Sequence, residues 1–173
     1  MFTNSIKKCV QITLGATALS MIVGGGLAFA HTATTNLGVS ADVTNNCTIA
    51  AAPALAVGNY NVLSPTALTP TATLAVTCTA GAVATIALDP GANGAHAIGT
   101  TRAMADGVNY LSYELYSDAG LSTVWGNTVD TDVVEPAAPS TTVVDYTVYA
   151  NVPAEQSVPA GTYTDSVAVT DSF

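Results

Sequence analysis

Basic residues are almost missing from this chain. Lys7, Lys8 and Arg102 are the only Lys or Arg in 173 residues, against twelve Asp and Glu. A nucleic-acid surface is built from clustered Lys and Arg, so that class of partner is excluded. With no lysine after Lys8, crosslinks through a lysine amine, whether sortase-type or internal isopeptide bonds, are excluded for the body of the chain. Histidine is scarce too: His31 and His96 stand alone, with no HxH, HExxH or Cys/His cluster to hold a metal. There is no GxSxG, P-loop or GxGxxG motif. Asp130, Asp132 and Glu135 lack EF-hand spacing and read as a solvated acidic loop. These absences argue against an enzyme and against a resident metal or cofactor.

What is present begins with an export signal. Lys7 and Lys8 precede an apolar run through Leu14, Leu19, Ile22 and Leu27, and Ala28-Phe29-Ala30 supplies a small–x–small cleavage pattern. Residues 1–30 read as a secretory signal peptide; a retained anchor is the rival reading, though the run barely reaches spanning length. Cleavage after Ala30 removes both lysines and leaves one Arg against twelve acids, a formal charge of −11. No membrane association is expected once the signal is gone. Cys9 leaves with it, so Cys47 and Cys78 remain, an even pair that reads as a structural disulfide in an exported protein.

Residues 31–173 read as one all-β domain, rich in Val, Thr, Ala and Gly. Over 161–173 the odd positions carry Tyr163, Asp165, Val167, Val169, Asp171 and Phe173, while the even ones are small or hydroxylated. Side chains on a strand alternate faces, so this is one long half-buried strand whose free apolar edge calls for a cover. Asp165 is expected to bond a turn backbone, and Asp171 to lie near a frayed end. Residues 33–43 alternate likewise, but the first half is poor in large side chains and should fray. Residues 50–70 read as loop with one short strand near 57–62. Strands are expected at 71–79 and 83–88, joined as a hairpin through Ala80-Gly81-Ala82, and at 110–116 and 143–152, with Trp125 in or beside a short strand. Short strands with turn signals between them make a β-sandwich of antiparallel sheets.

Asn46-Cys47-Thr48-Ile49, Val76-Thr77-Cys78, Arg102-Ala103-Met104, Leu111-Ser112-Tyr113-Glu114-Leu115-Tyr116, Trp125-Gly126, Val148-Tyr149 and Gly161-Thr162-Tyr163-Thr164-Asp165 occur in that order. As an ordered set they resemble the spore coat protein U domain family, which includes subunits of archaic chaperone–usher pili. The resemblance covers essentially all of 31–173. It implies an incomplete immunoglobulin-like β-sandwich completed by a donor strand, lent first by a periplasmic pilus chaperone and then by an identical or related subunit at an outer-membrane usher. Carried onto this chain, the donor is the tail at 31–39, with Ala33, Thr35, Leu37 and Val39 facing pockets. The acceptor groove is flanked by the last strand through Tyr163, Val167, Val169 and Phe173. The implied product is a non-covalent head-to-tail surface pilus serving adhesion and biofilm formation.

Two departures stand out. Asp171 occupies a place where the family's pattern carries an apolar residue, and only Leu37 and Val39 are bulky among the tail's pocket residues, which points to a looser donor or a different register. Two other functions stay open at this stage. One is a spore or cell-surface coat protein that assembles without a pilus. The other is a secreted carbohydrate-binding module using Tyr110, Tyr116, Tyr149 and Trp125.

Overall fold

The computed structural model describes residues 31–50, 54–82, 84–134 and 141–173. The expected signal peptide at 1–30 and Glu135 lie outside them. The chain divides into two units, Met1–Ser40 and Ala41–Phe173. In the described part of the first, residues 31–40, no strand forms and every residue is exposed. Residues 41–46 are also exposed and form no strand, so the alternation over 33–43 does not become a paired strand.

Seven strands are found among the described residues: β1 (Cys47–Ile49), β2 (Thr71–Cys78), β3 (Thr85–Leu88), β4 (Arg102–Asp106), β5 (Asn109–Tyr116), β6 (Val144–Asn151) and β7 (Val169–Ser172). A short 3-10 turn spans Gly94–His96. The first sheet has the order β1-β2-β6-β5-β4, and β3 pairs with β7 in a second. All pairings are antiparallel. Both sheets contribute to one apolar core, with Leu74, Val76, Leu115, Val148 and Ala150 from the first and Ile86 and Leu88 from the second. This is an all-β, immunoglobulin-like sandwich.

Period-two patterning explains the long strands. β2 buries Leu74, Val76 and Cys78 and leaves Ala75 and Thr77 between them more exposed. β4, which was not expected as a strand, pairs with β5 through the turn at Gly107 and Val108. Gly107 has φ 60° at the first central position, where a two-residue hairpin of type II′ calls for glycine. The expected hairpin between β2 and β3 does not form, because both edges of β2 are taken by β1 and β6. At Gly81, φ 85°, the chain turns away and crosses to the other sheet.

The last strand is shorter than its alternation suggested. Only Val169–Ser172 pair with β3, and upstream a single bridge joins Thr164 to Ala105 of β4. The reason lies in the partner. β3 ends at Leu88, Pro90 has no N–H to offer, and the Asp89 side chain takes over, accepting from the Ala168 N–H at 2.9 Å. Residues 163–172 therefore step from one sheet to the other while keeping their parity, with odd positions half-buried and even ones exposed.

Candidate strand-acceptor groove

An open apolar groove of about 570 Å³ runs along the molecule. Its floor is built from inward residues of both sheets: Leu74, Leu88, Met104, Leu115 and Val148. One wall is the segment 163–167 with Val169 of β7, and the other is residues 54–58. A second hollow of about 360 Å³ shares Val57, Gly58, Met104 and Tyr163 with the first and continues it past residues 59–62 and 158–161.

The backbone of both walls is open. Tyr163, Asp165 and Val167 make no backbone hydrogen bond with any described residue, whereas Thr164, Ser166 and Ala168 bond outward to Ala105, Ala92 and Asp89. In an extended chain, successive residues aim their N–H and C=O at opposite edges. The three unpaired odd residues therefore present theirs on the groove side. Opposite them, residues 54–60 likewise make no backbone bond among the described residues. Buried backbone groups are almost always paired, so an apolar trough with two unpaired rims has the features of a sandwich missing a strand.

Three of the four residues expected along the groove lie beside this hollow. Tyr163, Val167 and Val169 line the groove. Phe173 does not: it lies beyond β7 and is 55% exposed. The predicted donor residues Ala33, Thr35, Leu37 and Val39 are all exposed and make no backbone hydrogen bond with any described residue. Sequence reasoning missed the 54–58 wall, which reads as loop because Ala dominates it. A signal was there, since Leu55 and Val57 alternate with the more exposed Ala54 and Ala56.

Asp165 anchors the other wall through side chains, not through a turn backbone as expected. The Tyr113 hydroxyl donates to its Oδ2 at 2.8 Å, and Asn93 Nδ2 donates to Oδ1 at 3.0 Å. Burial, reinforced by the neighbouring carboxylate, pushes the Tyr113 hydroxyl well above the usual phenol range. Gly91, at φ 77°, leaves the space that this carboxylate occupies; a Cβ there would overlap it.

Behind the groove lies the only Arg of the sequence, and it is buried. Arg102 donates from Nη1 to Glu114 Oε1 at 2.6 Å and from Nη2 to the Leu88 and Trp125 carbonyls at 2.9 and 2.8 Å. Its Nε reaches the Asp89 carbonyl at 2.9 Å. Glu114 also accepts from the Thr101 N–H at 2.8 Å. One guanidinium thus ties β4 and β5 to the end of β3, where the groove wall is attached. Trp125 is 1% exposed and donates to the Ile86 carbonyl, so it cannot stack on a sugar.

Cys47 and Cys78 are Cα partners in register and form the expected disulfide. Asp171 sits against it, its carboxylate within 4.8 Å of both sulfurs. The two thiols are consumed by the bond, so the trio is no metal site. Both Asp171 oxygens are buried without a hydrogen-bond partner among the described residues, and desolvation pushes the carboxyl above its ordinary range.

Comparison with known proteins settles the family. The Spore Coat Protein U domain model matches residues 33–170. The chain belongs to the Spore Coat Protein U domain family. It is 35% identical over 183 residues to Protein U of Myxococcus xanthus, covering 98% of this chain and 99% of that protein. Among solved structures it is similar to a chain of the CsuC–CsuE chaperone–tip adhesion subunit pre-assembly complex, from archaic chaperone–usher Csu pili of Acinetobacter baumannii. That match has a TM-score of 0.54 at 20% identity and covers 76% of this chain but 40% of the other, so it speaks for the fold. No helix among the described residues is long and apolar enough to cross a membrane.

Proposed function

We propose that this protein is a structural subunit of a surface pilus, exported behind the leader at 1–30 and assembled by the chaperone–usher route through donor-strand exchange. The observation that carries the reading is the apolar groove with an unpaired backbone edge on each side. A strand laid there gains hydrogen bonds along both rims and buries alternate side chains on the floor, the chemistry of β-strand addition. The likeness of the fold to a subunit captured with its chaperone supports a periplasmic chaperone as the first occupant. The tail of the next subunit replaces it at an outer-membrane usher. A head-to-tail contact of this kind does not close and yields a filament, for which adhesion and biofilm formation are the proposed roles.

The family's description also favours a second reading, in which the same exchange builds a coat layer on a spore or cell surface. Both readings are tested on material sheared from the cell surface and run on a denaturing gel with and without boiling. Strand exchange gives a ladder that collapses to monomer only on boiling, and a monomer in both lanes overturns it. If the laddering material persists without an usher, the coat reading replaces the pilus.

A further inference from the structure

We propose that the strand entering the groove is residues 37–43 of a second copy, with Leu37, Val39, Ala41 and Val43 facing the floor, not the 31–39 register that the resemblance suggests. The proposal rests on the donor-strand reading above and specifies its partner segment.

The first observation is where the exposed apolar side chains lie. Nine large hydrophobic residues are exposed among the described residues, and three of them, Leu37, Val39 and Val43, fall in this one stretch at 87% exposure each. They share one parity, and Gly38, Ser40 and Asp42 between them are small or polar. An extended chain therefore gathers all three on one face. Residues 31–36 read HTATTN and offer the floor no apolar side chain larger than Ala33. Contact with Leu74, Leu88, Met104, Leu115 and Val148 rewards apolar area, and the tail has that area only from Leu37 onward.

Length is the second observation. The open wall at 163–169 has four inward positions, Tyr163, Asp165, Val167 and Val169, over seven residues. The segment 37–43 also has four same-face positions over seven residues, roughly 20 Å of strand. The chain after it is short: Thr44 and Asn45 lead to Asn46, whose N–H and C=O are already bonded to Thr79, and then to Cys47 in the disulfide. The donor would thus leave the body of its own subunit almost at once, and residues 31–36 would project past the far end of the groove.

The test uses the full chain made in its own cells, with surface material run unboiled. Val43→Asp should shorten the ladder tenfold or more, and Val39→Asp should do the same. Thr35→Asp should leave it within twofold of the unsubstituted chain. Val43→Leu should preserve it, and the monomer band on boiling reports that each variant is made and exported. A ladder that survives Val43→Asp, or that is lost with Thr35→Asp, overturns this register while leaving donor-strand exchange intact. No ladder from the unsubstituted chain overturns both.

Discussion

Two buried charged groups behave in opposite ways. Arg102 and Glu114 form a pair with nearly every polar atom engaged, at 1% and 5% side-chain exposure. Removing one partner of such a pair strands the other in the core, at a cost of about 3–5 kcal/mol. Arg102→Met should therefore take away a large part of the 5–15 kcal/mol typical of a domain. Adding Glu114→Gln to it should recover part of the loss, because no bare charge remains. Urea unfolding of the single and double variants checks this; a double variant less stable than Arg102→Met alone would contradict it. Asp171 is the reverse case, a carboxylate with no hydrogen-bond partner among the described residues, facing the disulfide from β1 and β2, Tyr146 of β6 and, in register, Ile86 of β3. Its folded-state pKa is raised by desolvation, so the folded protein holds this proton more tightly than the unfolded chain. Its contribution to stability is complete below the ordinary carboxylate range and is lost as pH rises through the folded value. Asp171→Asn should raise the unfolding midpoint at pH 7 more than at pH 4. An equal shift at both would show that the charge is not what costs stability there.

At the scale of elements, what the sequence revealed depended on how much apolar contrast each strand carries. β2, β5 and β6 alternate large apolar residues with Thr, Ser or charge and can be read directly. β4 is Arg-Ala-Met-Ala-Asp, with its bulk at one position and a buried cation at its start, so no period-two signal survives. The end of the chain kept its alternation but not its pairing, since parity is written in residues 163–172 whereas pairing also needs a continuous partner, and β3 stops before Pro90. The groove was half legible for the same reason. One wall carries Tyr163, Val167 and Val169; the other carries Leu55 and Val57 among alanines, beside a gap that only the folded chain reveals. The buried Arg102 was invisible as such, because a lone Arg in a sequence reads as surface until its carbonyl and carboxylate partners, 12 to 23 residues away, are brought to it.

For the whole molecule, the position of the disulfide matters more than its contribution to stability. β1 is three residues long and is the first paired element after the tail. If the tail is held in a neighbouring subunit, a pull on the filament arrives at Cys47, where three residue pairs alone would have to resist peeling from β2. The bond to Cys78 passes that pull straight to the end of an eight-residue strand flanked on both sides. Residues 48–77, including the wall at 54–58, are then bypassed covalently. Two effects of reduction can be separated. Loss of the crosslink should lower equilibrium stability by roughly 3–4 kcal/mol whatever the geometry of measurement. Stretching reduced filaments should also release more chain per unfolded subunit, because a loop with a sequence separation of 31 becomes extensible, which at 3.3–3.6 Å per residue is about 110 Å. Force–extension traces of single filaments before and after reduction measure that length. If each unfolding step stays unchanged while equilibrium stability falls, the disulfide stabilises the fold but does not lie in the path of the pull.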